Sequence, residues 1–476
     1  DEMCEYAGLT TCGCKYCRDR FKADYGHDIP DFSDKTFWGD TAHKEMLHWG
    51  NYENPVFRDW LRMKSDALVD HLKMARSVLN GIPLMTCCSS AGPIVLNAIS
   101  LNLEKMAPYL DFFMLENVGI NVSSVNWLEK ESEAMLQKDI AKSNGNAPAM
   151  ALSYTVYEKG GYLGWSLSRF WGVANWSSTL EHRLEEDPED AMEIQDIISP
   201  DNNWEISHSN LNYRDGEDLV EVRLVSNGYC RENGWRRADG KEQWDSVKRW
   251  SSNLVRNNVG YRILRAAELS DPVKLRSENT PLIIDSVGCV SDEQAKSVND
   301  YLAKGGIVWL ALPFGTHNEK GFKRRIPLSD ELKNRKYKNL IILDPETADP
   351  LKKLIAEGKF KPALTQLSGD TRWAARIRIY KGKPVIHFLN TALIAIPHPT
   401  VKDNSGIAIL KDINSKILDN NLSFKINTDK IRLSRLSMMS PELAKEAKTV
   451  AINNLGKEGA SFDINLEGIK VYAVLQ

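Results

Sequence analysis

From Asn54 to Trp176 the chain switches regularly between a helical and an extended apolar period, and this alternation is what most limits its fold. Phe57, Trp60, Leu61, Leu68, Leu72, Ala75 and Leu79 recur on a helical period between Asn54 and Leu79. A short apolar run from Ile82 to Thr86 follows, then a helix from Val95 to Lys105 and a strand from Asp111 to Leu115. The pattern repeats with a helix from Val125 to Lys142, a strand from Ala149 to Ser153, a helix from Leu163 to Phe170 and a strand from Gly172 to Trp176. Strands that alternate with helices pair in parallel, because each crossover returns the chain to the same edge of the sheet. Counted from a turn at Glu2, these units make the C-terminal half of a (β/α)8 TIM barrel over residues 1–205. The first half is not in the sequence, so the chain is expected to be part of a longer protein.

The acidic, proline-containing run from Glu181 to Asp201 reads as the way out of this domain. A second α/β unit is expected over residues 206–370. Its strands fall at Leu219 to Tyr229, Gly260 to Leu264, Leu282 to Asp285 and Ile307 to Leu312. Helices are expected from Gln243 to Asn257 and from a cap at Ser291 to Lys304. This predicts an open, doubly wound sheet. No Gly-x-Gly-x-x-Gly follows any of its strands, which argues against a nucleotide. Residues 371–476 are β-rich and read as a C-terminal β-sandwich, with a hairpin turning at Lys381-Gly-Lys383.

A chain of 476 residues is too long for one core, and a 26% charged, 42% hydrophobic composition is that of a soluble globular protein. A net charge of -3 leaves no basic footprint for nucleic acid, and no apolar run is long enough to cross a bilayer. Asp1 opens the chain without a signal-peptide pattern. Eight cysteines over this length do not make a disulfide scaffold, so a reducing, cytoplasmic compartment is expected, with a periplasmic one as the alternative.

Chemistry on a (β/α)8 barrel sits at the carboxyl ends of its strands. Glu2, Glu116 and Glu158 fall at such positions and are the candidate catalytic carboxylates. Cleaving a glycosidic bond needs two such groups, one protonated and one ionised, about 5–5.5 Å apart when configuration is retained. A lone glutamate is more often a solvated surface group. That reading is weaker for Glu116, which ends the apolar run Phe112-Phe-Met-Leu115 and precedes Asn117, than for Glu158, beside Lys159 and Gly160. Asn175 and Trp176 end the last barrel strand and are candidate sugar contacts, with His182 near the same face. Cys12, Cys14 and Cys17 have metal-ligand spacing, and Cys4 is the nearest fourth thiol for a structural zinc. No cofactor is expected for the chemistry itself.

Asp1-Glu2, the gap to Cys12-x-Cys14-x-x-Cys17, and Phe21 with Tyr25-Gly26 resemble glycoside hydrolase family 42, the β-galactosidases. Val259 to Leu264 and Gly305 to Gly315 resemble the trimerisation domain of that family. The resemblance implies that Glu2 is the acid/base, that the cysteines ligate structural zinc, that the substrate is a β-galactoside and that the chain forms a homotrimer. Two positions depart from the pattern. Asp1 stands where the family has a sugar-contacting Asn, and Ser153 stands roughly where it has the nucleophilic Glu. The nucleophile is therefore assigned chemically, to Glu116 first and Glu158 second. A non-catalytic carbohydrate-binding relative and a polysaccharide lyase on the same scaffold are the rival readings.

Overall fold

The computed structural model describes residues 13–40, 49–88, 100–118, 121–178, 188–344, 347–417, 419–433, 435–443, 448–454 and 459–476, with backbone alone at 87–88, 116–118 and 454. Its first sheet holds four parallel strands in sequence order: Met85–Cys88 (β1), Phe112–Val118 (β2), Ala149–Tyr154 (β3) and Ala174–Ser178 (β4). Helices Pro55–Val78, Glu131–Ser143 and Glu158–Trp171 precede β1, β3 and β4 respectively. Sequential parallel order with a helix before each strand is the arrangement of a barrel wall.

Local chemistry sets the boundaries. Pro83 has no amide hydrogen, and the Leu84 amide donates to the Asp111 carboxylate at 2.7 Å, so β1 begins at Met85 rather than Ile82. The helix expected from Val125 begins at Glu131; before it the chain makes two 3-10 turns, the first capped by Asn121. Of the helix expected from Val95, residues 95–99 lie outside the described residues, and one turn, Leu103–Met106, is present. The acidic run is not simply an exit. Its last residues enter a helix, Ile194–Ser207, which holds Pro200 in its interior. Packing keeps that helix in place: Ile197 is fully buried, and its side chain lies against Gly161 of Glu158–Trp171.

After a short strand, Gly216–Asp218 (β5), the chain builds a parallel sheet from Val222–Ser226 (β6), Tyr261–Arg265 (β7), Leu282–Cys289 (β8), Val308–His317 (β9) and Leu340–Leu343 (β10). Its order is β10-β9-β8-β6-β7, a doubly wound arrangement that reverses direction between β6 and β8. Open sheets of this kind bind ligands in that crevice. Here Asn227 fills it, donating to the Cys289 carbonyl at 2.9 Å and to Gln294 at 3.0 Å. Ser291 caps the next helix as expected, in a reciprocal box with Gln294.

The C-terminal region is a sandwich of a four-stranded and a six-stranded sheet, with Trp373, Ile386, Phe388, Phe424 and Phe462 in the core between them. Its hairpin Trp373–Tyr380/Lys383–Asn390 turns on Lys381 and Gly382, both at positive φ, the two-residue turn that matches strand twist. β5 forms the edge of the six-stranded sheet, so the chain reaches the sandwich before it builds the middle domain. A second hairpin, Leu393–Lys402/Ala408–Ser415, leaves the sandwich and lies against the barrel. There Ile409 is buried with Val156 and Tyr157, Asn121 donates to Asp403 at 2.7 Å, and Lys411 pairs with Asp190 at 2.5 Å.

The three regions meet at one buried carboxylate. Glu131, fully buried at the start of Glu131–Ser143, forms an ion pair with Arg376 of the sandwich. It also accepts the Tyr261 hydroxyl of the middle domain at 2.9 Å and the Trp171 indole N–H of the barrel at 2.6 Å. The Arg376 guanidinium lies 4.6 Å from the centre of the Phe170 ring. Two turns further along this helix Lys138 meets Asp218 of β5 at 2.5 Å, and Asp139 accepts the Ile263 amide of β7 at 2.6 Å. Burial pushes the Asp139 carboxyl up to about 7, against the opposing pull of that amide and of Arg262 and Lys138.

Replacing Arg376 by Met leaves Glu131 buried without its countercharge. Urea unfolding followed by tryptophan fluorescence is expected to show a loss of about 3–5 kcal/mol. A loss below about 1 kcal/mol would exclude this joint as a main stabilising contact. Asp139 gives a separate pH signature. Its folded-state pKa lies above the unfolded value, so its stabilising effect is complete below about pH 4 and is lost as pH rises through about 7. Asp139→Asn should therefore flatten the decline in stability between pH 5 and 8 and be the more stable form at pH 8.

Candidate functional site

The carboxyl ends of β2, β3 and β4 lie in register: Glu116 opposite Leu152, and Leu152 opposite Trp176. Side chains alternate between the two faces of a strand, so one row settles which residues face the helices. Ala149 and Ala151 of β3 join the core shared with the helices, while Met150, Leu152 and Tyr154 cluster with Met114 on the other face. In β4, Asn175 and Ser177 make hydrogen bonds within the helix-facing layer, which places Trp176 on the opposite face beside Leu152. Trp176 is 41% exposed there, a flat indole at the middle of β4, which runs two residues past the end expected for it.

Two expected substrate contacts are corrected by this alternation. Ser153 is 1% exposed and faces Glu158–Trp171, where a Cβ on Gly164 would come within 2.3 Å of its hydroxyl. Asn175 accepts the Ser168 hydroxyl at 3.3 Å and donates to Ser177 at 3.2 Å. Both fill the seam between sheet and helix, so neither lies on the Leu152–Trp176 face.

Glu158 is the first residue of its helix, half-exposed and paired with Lys159 at 3.1 Å. It lies near the buried Asp201 of the next helix. Burial first, and Glu158 second, push the Asp201 carboxyl up to about 7. This position puts Glu158 in the helix layer rather than on the row that contains Trp176. Glu116 and Asn117 are placed by backbone at the end of β2. Asp1, Glu2, Cys4, Cys12 and His182 lie outside the described residues.

Cys14 precedes helix Lys15–Tyr25 as its N-cap and Cys17 is in its first turn, so the two thiols sit one turn apart at a helix start. Among the described residues no three His, Cys, Asp or Glu side chains are grouped as a metal site.

The sequence reading did not anticipate the rim. The loop after β3, Thr155 to Tyr157, is closed over by the Leu393–Lys402/Ala408–Ser415 hairpin. Tyr157 donates its hydroxyl to Asp190 at 2.5 Å and stacks on His398, which lies 3.4 Å from Asp190. Hydrogen bonds from Lys411 and Tyr157 hold the Asp190 carboxyl well below the usual carboxylate range. A charged anchor thus ties the sandwich to the end of β3. The Pro397-His-Pro399 stretch was the signal available in the sequence, but prolines there read against a strand.

The described end of the sheet offers an exposed aromatic platform, an apolar wall and, in β3, no carboxylate.

Neither family models nor curated proteins match the sequence. Solved structures do match the fold. A β-galactosidase from Bacillus circulans sp. alkalophilus superposes with a TM-score of 0.62 at 12% identity, covering 98% of this chain and 77% of that one. A catalytic mutant of Gan42B, a GH42 β-galactosidase from G. stearothermophilus, gives a TM-score of 0.60 at 10% identity, covering 98% and 76%. Alpha-L-fucosidase isoenzyme 2 from Paenibacillus thiaminolyticus gives 0.53 at 13% identity, covering 99% and 76%. The chain has the fold of the family 42 β-galactosidases, a fold that the fucosidase also matches.

Proposed function

We propose that this protein is a glycoside hydrolase that cleaves a β-glycosidic bond by two-carboxylate catalysis, with a β-galactoside as the first substrate to test. The observation that carries the proposal is the order of parts. A parallel barrel wall, a doubly wound sheet and a β-sandwich follow one another along a chain of which 98% superposes on a β-galactosidase. The barrel sheet presents Trp176 beside Leu152 on the face away from the helices, as a platform against which a sugar face can stack.

In this mechanism Glu2 protonates the departing sugar oxygen, and Glu116 attacks the anomeric carbon or stabilises its positive charge. This role requires Glu2 to stay protonated near neutral pH. Asp1 and Asn117 flank the two carboxylates and contact the sugar. Cys4, Cys12, Cys14 and Cys17 are the residues that would hold a structural zinc, which would pin the loop they share and take no part in the chemistry. The middle domain mediates a homotrimer.

The absence of a carboxylate in β3 favours one alternative, a carbohydrate-binding relative without turnover. Glu116→Gln separates the two. A hydrolase loses at least about a hundredfold in kcat on a nitrophenyl β-galactoside, whereas a binding protein shows no turnover in the parent and keeps its sugar affinity in the variant. Trp176→Ala tests the platform independently: KM should rise about tenfold, equivalent to about 1.4 kcal/mol of sugar binding, with kcat changed much less. An unchanged KM would remove Trp176 from the site.

A further inference from the structure

A second cavity lies between the start of helix Pro55–Val78 and the carboxyl ends of β8 and β9. Its volume is about 450 Å³, within the range of small-molecule sites. Arg58, Arg236, Arg237, His317, Tyr52 and Glu53 are among the residues that line it. Arg236 is balanced by Glu242 at 3.3 Å and Arg237 by Asp239 at 3.1 Å.

Arg58 differs. It is 6% exposed, and among the described residues no carboxylate lies within ion-pair distance. Its contacts among the described residues are neutral: Nη1 donates to the Tyr52 carbonyl at 2.8 Å, and the guanidinium lies 5.6 Å from the Phe322 ring centre. Nε is buried and has no hydrogen-bond acceptor among the described residues. Nearby Arg62 adds repulsion, which the attraction of its own partner Asp59, 2.7 Å from Arg62, offsets only in part. The exposed Glu53 is the acid of the cavity wall, and it acts on Arg58 only from a distance. Burying a guanidinium without a countercharge is costly, and its planar fork is shaped for two oxygens of one oxyanion. Burial and the neighbouring Lys323 and Arg58 hold the His317 imidazole below its ordinary value, so at neutral pH it offers a neutral donor or acceptor.

We propose that this cavity is a binding site for a small oxyanion, either free or carried on an acidic sugar, with Arg58 as its principal ligand. The inference does not rest on the glycosidase reading, and activity on a neutral galactoside can be followed separately.

Calorimetric titration of the whole chain with sodium sulfate and with phosphate, at ionic strength matched with chloride, tests it. Saturable binding is expected, weakened at least tenfold in Arg58→Gln and tightened several-fold in Glu53→Gln. The second variant changes an exposed side chain, so it decides the matter if Arg58→Gln does not fold. Absence of saturable binding above the chloride control overturns the proposal, as does a Glu53→Gln protein that binds sulfate no better than the parent. Sulfated galactose and galacturonate, each compared with galactose, identify the source. Binding tighter than inorganic sulfate assigns a sugar-borne anion, and weaker binding assigns the free ion.

Discussion

The Glu131–Arg376 pair is the contact on which the arrangement of the three regions depends. A carboxylate and a guanidinium buried together are tolerated only when their remaining hydrogen-bonding capacity is met. Each of the three regions contributes to meeting it, through Trp171, Tyr261 and Arg376. Helix Glu131–Ser143 therefore does more than cover the barrel sheet. Its buried face carries Glu131 and Asp139, and Lys138 next to Asp139 reaches β5, so successive polar side chains hold the barrel, the middle sheet and the sandwich edge. A polar joint has directional requirements that an apolar one lacks, and it fixes the angles between domains as well as their contact.

Much of this was legible in the sequence because it depends on local chemistry. The helix at Pro55–Val78 shows its apolar period directly, Ser291 announces a helix start, and Lys381-Gly382 suits a two-residue hairpin turn. The alternation that predicted a parallel sheet is local too, since each unit covers its own strand. What was not legible depends on partners distant in sequence. Ile194–Ser207 contains Pro200 and an acidic lead-in, and it is helical because Ile197 and Trp204 pack on the preceding helix. The Leu393–Lys402 strand carries two prolines and survives because its hairpin docks on the barrel.

The site was legible only in part, and a period of two explains why. Sequence places Ser153 near the end of β3 and Asn175 within β4. Facing is set by register, and a shift of one residue turns a side chain from the barrel interior to the helix seam. Leu152 and Trp176 lie on the inner row, and Ser153 and Asn175 lie on the outer one. Tryptophan content could not separate these roles. Trp165 and Trp171 are fully buried, whereas Trp176, of the same residue type and only a few positions away, is half-open.

The hairpin that reaches from the sandwich to the rim of the barrel has a consequence for biosynthesis. Tyr157 and Asp190 emerge from the ribosome more than two hundred residues before Lys411, their partner across the rim. Until then the loop after β3 lacks its strap, and the apolar surface around Val156 has no Ile409 to cover it. The rim is thus completed late in translation, after the middle domain has been made. A nascent chain that stalls between these points would carry a formed sheet with an open mouth, a natural binding target for a chaperone.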